Sequence, residues 1–209
     1  MDLSLVILGF GGHARSVADV ALFGGWRIAS FVDENAQEGE SFAGAPVLDS
    51  LCQTPTDCLM ISASGDNVRR QMQCEQVSGK LATLVAPSAS RGALSEIGEG
   101  TFIGRMAHIG PQACVGRGVI LNTGCIVEHE CLVGDFTHVS VNATVAGRCT
   151  LGKRVMIGAG ATVIDGVTIC DDAVIGAGAV VVDHITVPGT YVGVPAKLVE
   201  SGNKSLFRP

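Results

Sequence analysis

Aromatic rings are scarce in this chain. Trp, Tyr and Phe make up 4% of the 209 residues, so the core has to be filled mainly by aliphatic side chains. Charge is scarce too: 16% of residues are Asp, Glu, Lys or Arg against 47% hydrophobic, which excludes a disordered polyelectrolyte. The net charge of −6 argues against a nucleic-acid or anionic-membrane partner. No apolar run approaches the roughly 18 residues of a membrane span. The eight cysteines contain no C-x-x-C pair and read as reduced core residues, so no disulfide framework is expected. The first strand-like stretch lacks a charged leader and a cleavage site. These absences together describe a cytoplasmic globular protein.

What the chain has in abundance is period. From residue 97 to residue 186 it divides into fifteen units of six with no insertion. The first position of every unit is Ile, Leu or Val, and the fifth is always small or β-branched (Thr101, Ala107, Ala113, Val119, Cys125, Cys131 and onward). Eight of the fifteen second positions are Gly. A fixed short period of this kind predicts a β-solenoid, one short strand and one bend per unit, with first- and fifth-position side chains stacked inside. A narrow interior of that kind has no room for rings, which accounts for their scarcity. The handedness does not follow from the spacing.

Ahead of the repeat, Leu5-Val6-Ile7-Leu8 predicts a buried strand, and Ala14, Val17, Ala18, Ala21 and Leu22 recur on one face of a helix. Residues 26–32 predict a second strand ending at Asp33-Glu34. Between the first strand and the helix lies Gly9-Phe10-Gly11-Gly12-His13-Ala14. Such a βαβ unit with a glycine turn lets backbone N–H groups at a helix start approach a phosphate. The turn spells G-x-G-x-x-A, with Asp33 some twenty residues on, as in a dinucleotide fingerprint. Only about eighty residues precede the solenoid, however, too few for the two βαβαβ halves of a full doubly wound fold. Residues 39–46 are expected as loop, 58–62 and 81–85 as strands, and 67–78 as a helix with Val68, Met72 and Val77 inward. The expected organisation is a small α/β, Rossmann-like domain over 1–86, the solenoid over 87–199, and a loose tail over 200–209. Arg91 breaks the hexad phase in the joint over 87–96. After the repeat, residues 191–197 are expected to make one more turn.

The solenoid resembles the left-handed parallel β-helix of hexapeptide acyltransferases, with three hexads to a coil. The resemblance narrows at Gly9-Phe10-Gly11-Gly12-His13, Asp33-Glu34, Leu121-Asn122-Thr123, Val127-Glu128-His129-Glu130-Cys131, Phe136-Thr137-His138-Val139-Ser140 and Gly193-Val194-Pro195-Ala196-Lys197. Together these resemble the nucleotide-amino-sugar N-acetyltransferases that share a family with sialic-acid O-acetyltransferases. The resemblance implies that His129 is a general base and Glu130 the carboxylate that fixes its tautomer. An imidazole changes charge near neutrality and suits that task. Cys125 and Cys131 flank the pair; a covalent acetyl-cysteine is conceivable there, but their inward fifth positions favour packing. Gly11, Gly12 and His13 would meet the diphosphate of a sugar nucleotide, Asp33, Glu34 and the turn at Gly65 (or equally Ser64) would lie by the nucleoside, and Asn122 would reach the sugar. His138, Ala159, Ala177 and Lys197 would contact acetyl-CoA, with Arg148, Lys153 and Arg154 as further candidates for its phosphates. The second positions beside His129 that would ordinarily be Gly are Asn122 and Glu128, so the repeat departs from its usual turn chemistry there.

The expected activity is acetyl-CoA-dependent N-acetylation of a nucleotide-linked 4-amino-4,6-dideoxy sugar for bacterial surface glycan synthesis. Direct attack of the amine on the thioester is expected, in a homotrimer with CoA between two solenoids. The nucleotide (UDP, dTDP or GDP) is left open. O-acetylation of sialic acid or a related sugar is the alternative on the same fold. A zinc site of the kind some hexapeptide solenoids resemble needs three histidines at a spacing not reproduced here, and no metal is expected. His108 and His184 are expected on the surface.

Overall fold

The computed structural model describes residues 4–55, 57–77 and 81–199; the expected tail over 200–209 lies outside the described residues. The N-terminal domain is built from β1 (Ser4–Leu8), α1 (Gly12–Phe23), β2 (Arg27–Val32), β3 (Ser41–Phe42), β4 (Ala45–Leu48), β5 (Leu59–Ser62) and α2 (Asn67–Gln76). Its sheet order is β3-β4-β2-β1-β5, with every pairing parallel except β3–β4. Leu5 and Ile7 of β1 and Phe31 of β2 pack on Ala14, Val17, Ala18 and Ala21 of α1, all fully buried.

Three local expectations are corrected. The stretch over 39–46 is not plain loop: Ser41–Phe42 and Ala45–Leu48 form a hairpin, and Ala43 and Gly44 both take positive φ (51° and 80°). Two successive left-handed residues make the turn type that matches strand twist. On α1, Leu22 is exposed and Val20 is buried in its place. On α2 the inward face carries Arg70 and Cys74, while Val68 and Met72 stand more than half exposed; Val77 is buried as expected. Asp66 caps α2, its Oδ1 accepting from the N–H of Arg69 at 2.7 Å.

The rest of the chain is a three-sided solenoid. Through the repeat, strands pair in parallel with those 18 residues later, as Phe102–Ile103 with Ile120–Leu121 and that with His138–Val139, so three hexads make one coil. Successive hexads deposit their strands on three separate sheets. The coil is the left-handed β-helix of the hexapeptide-repeat type. First- and fifth-position side chains fill the interior: Leu121, Cys125, Val127, Cys131, Val139 and Ala143 are all fully buried. Polar fifth positions bond back to the next coil, with Thr101 Oγ1 donating to Gly116 O at 2.9 Å and Thr137 Oγ1 to Gly152 O at 2.8 Å. Strands Leu84–Val85, Ser90–Arg91 and Glu96–Ile97 belong to the solenoid, so its backbone starts ahead of residue 87 and runs through Arg91 without a break. Arg91 stands in a first position with its side chain turned outward, donating from Nε to Ser95 Oγ at 3.0 Å. At the far end Thr190–Val192 adds a parallel strand and Lys197–Leu198 folds back antiparallel on it.

The glycines of the repeat have a different cause from the one their spacing suggests. Positive φ falls at the fourth position, where Glu130 (59°), Phe136 (58°) and Asn142 (55°) are not glycine. Second-position glycines are demanded by the neighbouring coil. A Cβ on Gly98 would stand 2.6 Å from the carbonyl carbon of Gly116, and one on Gly134 2.5 Å from that of Gly152.

Candidate active site

The N-terminal domain docks on the sheet that carries Phe102, Ile120 and His138, and Phe102 and Ile120 share a core with α1. The deepest fastening is Arg70. Its side chain is 1% exposed, and it donates from Nε to Gly118 O (2.7 Å) and from Nη2 to Phe136 O (2.5 Å). Nη1 reaches back to Ser64 O (3.0 Å), and Nη2 also reaches Asn67 Oδ1 (2.7 Å). Asn67 Nδ2 in turn donates to Arg154 O at 2.8 Å. One helix start thus grips the turn residues of successive coils and holds the Ser64-Gly65 turn against the solenoid.

Against that turn lie two imidazoles, His138 buried and His13 part-buried. His138, expected as a contact for acetyl-CoA, is 6% exposed, with Nδ1 3.4 Å from Gly65 O and Nε2 3.4 Å from Asn122 Nδ2. Its ring centroid is 6.2 Å from that of His13, whose own ring meets the edge of Phe102 at 5.1 Å. Burial, and then the neighbouring Arg70 cation, bring His13 down to about 4 and His138 to about 3, so both rings are neutral. His13 Nε2 is buried without a hydrogen-bond partner. The structure therefore gathers Gly65, Asn122, His138 and His13 in one place.

Two cavities open from this point along the N-terminal domain. The smaller, ≈ 240 Å³, is lined by the glycine turn of residues 9–13 with Asp33, Ser64 and Gly65. The larger, ≈ 540 Å³, is lined by Asp33, Glu34, Ser50, Arg69 and Met72. Asp33, Arg69 and Gln73 line both, which makes one continuous trough. Gly11 caps α1 with no side-chain hydrogen bond, and a Cβ on Gly11 or Gly12 would meet nothing within 4 Å, so the helix start is open to the cavity. Asp33 accepts from Phe10 N (2.9 Å) and Asn35 N (3.0 Å); burial pushes its carboxyl up, but these donors outweigh it and hold the group below its usual value. Glu34 pairs with Arg69 at 3.0 Å.

His129 and Glu130 sit elsewhere on the solenoid. Asn122 lies at the bend between strands Ile120–Leu121 and Ile126–Val127, His129 at the bend between Ile126–Val127 and Leu132–Val133. The imidazole is half-exposed, and its Nδ1 stands 3.1 Å from Glu130 Oε2. Glu130 reaches it because its backbone is left-handed, held by a hydrogen bond from its N–H to Pro111 O at 2.9 Å. Glu128 turns inward to its own chain, accepting from His129 N at 3.1 Å. The flanking cysteines are sealed in the core: burial pushes the Cys125 thiol up to about 12, and Cys131 donates its thiol proton to Ala146 O. Its contact with Cys149, together with burial, raises Cys131 as well. A protonated, enclosed thiol is a packing group.

Ala159 and Ala177 stack at the same bend as Thr123, one coil apart, with Gly178 N donating to Ala159 O at 2.9 Å. Arg148 is paired with Asp165 (2.6 Å) and Arg154 with Asp172 (2.6 Å); Lys197 is exposed at the end of the coil. His184 accepts from Thr168 N at 2.9 Å. Among the described residues, no three or more His, Cys, Asp or Glu side chains gather as a metal site, and no helix is long and apolar enough to cross a membrane. Sequence reasoning missed Arg70 and Gln73.

A hexapeptide β-helix carrying a small α/β domain is the build of an acyltransferase of the hexapeptide-repeat class. Residues 4–77 match the family described as PglD N-terminal domain, and residues 148–183 match bacterial transferase hexapeptide (six repeats). The acetyltransferase domain of PglB from Neisseria gonorrhoeae, solved in complex with acetyl coenzyme A, is 31% identical with a TM-score of 0.88, covering 95% of this chain and 100% of that one. A single-residue mutant of the GDP-perosamine N-acetyl transferase from Caulobacter crescentus, in complex with CoA and GDP-perosamine, is 32% identical with a TM-score of 0.88, covering 94% and 96%. WeeI from Acinetobacter baumannii, at 20% identity and a TM-score of 0.65, covering 94% and 100%, shares the fold. The comparison with curated protein sequences finds no match. The chain belongs to the family of nucleotide-amino-sugar N-acetyltransferases.

Proposed function

We propose that this protein transfers the acetyl group of acetyl-CoA to the amine of a nucleotide-linked 4-amino-4,6-dideoxy sugar, with His129 as general base. The observation that carries the reading is the 3.1 Å contact between His129 Nδ1 and Glu130 Oε2 on an accessible bend. With the Nδ1 proton donated to the carboxylate, Nε2 carries the lone pair that takes a proton. The sugar nitrogen attacks the thioester carbonyl carbon and its proton passes to Nε2. The C–S bond then breaks and the thiolate leaves as CoA, reprotonated from the imidazolium. The enclosed cysteines support direct attack over an acetyl-cysteine.

The trough from Asp33 to His13 suits the nucleotide: an open helix start for the diphosphate and a wider cavity beside Asp33 and Glu34 for the nucleoside. Asn122 and His138 stand at its inner end, where the sugar would lie, and this favours a sugar-side role for His138. Ala159, Ala177 and Lys197 remain the proposed contacts of CoA. Because His129 and Asn122 occupy different bends, a homotrimer that brings one solenoid's His129 bend against the next completes the site. A cytoplasmic enzyme supplying surface glycan synthesis is the role that follows. The test is thiol release from acetyl-CoA against a panel of UDP-, dTDP- and GDP-linked 4-amino sugars. Release that needs one of these supports the reading; equal release with free sialic acid would replace it with O-acetylation.

A further inference from the structure

In the coil above His129, the residue that meets the imidazole is Gly147. A Cβ built on Gly147 would stand 2.5 Å from both Cε1 and Nε2 of His129 and 3.1 Å from Nδ1. Ordinary contact for such an atom begins at 3.4 Å, so the ring rests on the bare α-carbon of Gly147 with no space for a methyl group. The φ of Gly147 is not left-handed, unlike that of Gly160 or Gly166. An alanine therefore suits its backbone, and the glycine is not required by conformation. Nor does a backbone crowd it as at Gly98 and Gly134: the three atoms nearest to its would-be Cβ all belong to the imidazole. The backbone on either side is fixed, since Arg148 N donates to His129 O and Gly166 N to Gly147 O, both at 2.9 Å. Both bends are tied in this way, so it is the ring that gives.

We infer that Gly147 is a positioning residue for the reaction: its missing side chain forms the seat that sets the height of the His129 ring, while Glu130 sets its rotation. This rests on the reading of His129 as general base. The imidazole is the free end of a half-exposed side chain and swings away at small cost to folding. To clear a new methyl group it moves outward by about 1 Å. A displacement of that size costs roughly a hundredfold in rate where a proton must be taken along a fixed line.

The experiment is a cycle of Gly147→Ala, His129→Ala and the double variant, with kcat, both KM values and thermal melting for each. Gly147→Ala is expected to lower kcat by about 10²-fold, with both KM values within about twofold and melting close to the parent. On the His129→Ala background the same change is expected to have no further effect, because there is no ring left to displace. A full additional loss on that background would show that Gly147 acts independently of the ring and would overturn the inference. So would a near-parental kcat for Gly147→Ala beside an inactive His129→Ala, which leaves the base reading intact. Parental activity in His129→Ala would remove the base reading itself.

Discussion

Lowering the pH from about 7.5 to about 5 should remove about 4 kcal/mol from the stability of the docked N-terminal domain, because His13 and His138 are buried as neutral rings. At the higher pH both rings are neutral in folded and unfolded chains alike and contribute nothing to the difference. In the unfolded chain they titrate at 6.5; in the folded protein they are held at about 4 and about 3. The folded values lie below the unfolded one, so the unfolded chain binds more protons as the pH drops through 6.5, and stability falls with it. A pH of 5 lies roughly 1.5 below the value at which the unfolded rings titrate, which is worth about 2 kcal/mol each. The rings lie 6.2 Å apart, so protonating either works against the other. Asp33, with its carboxyl below 3.8, adds nothing in this window. Urea unfolding followed by the fluorescence of the single tryptophan, Trp26, which packs on the N-terminal core, reports this domain. His13→Gln and His138→Gln should each halve the acid loss. A loss below about 1 kcal/mol, or one that neither variant reduces, would refute the argument.

Two further substitutions test the scaffold. Arg70→Met strips charge-assisted bonds from Gly118 O, Phe136 O and Ser64 O; set against the guanidinium's own burial cost, a net loss of about 3 kcal/mol is expected in the same tryptophan assay. Gly134→Ala forces a methyl group onto the Gly152 backbone and should destabilise the solenoid by about 1–3 kcal/mol in a thermal melt, where Gly147→Ala, pressing on a movable ring, should not.

The solenoid was legible because its constraint acts on every unit: a narrow interior admits only aliphatic first positions and small fifth positions, and 90 residues repeat the message. The βαβ unit was legible for a similar reason, with buried β1 and α1 following ordinary periodicities. What escaped depends on partners distant in the chain. Arg70 faces inward because carbonyls at Gly118 and Phe136, 48 and 66 residues away, complete its hydrogen bonds, and no local pattern reveals that. Val68 and Met72 looked like the inward face of α2 for want of that knowledge. The Ala43-Gly44 turn lacks the Asn or Asp that marks such hairpins. Arg91 read as a break because its side chain departs from the rule while its backbone keeps it. The motif around His129 placed the His–Glu contact correctly, but that His138 is buried against His13 could be seen only once the two domains were docked.

The central claim is that His129 takes the proton from the sugar amine. Steady-state thiol release by His129→Ala, with acetyl-CoA and the nucleotide-linked amino sugar that the panel selects, tests it most directly. A fall in kcat of roughly 10²–10⁴-fold, with nucleotide-sugar binding retained, is the predicted result. A kcat within about threefold of the parent would contradict the account.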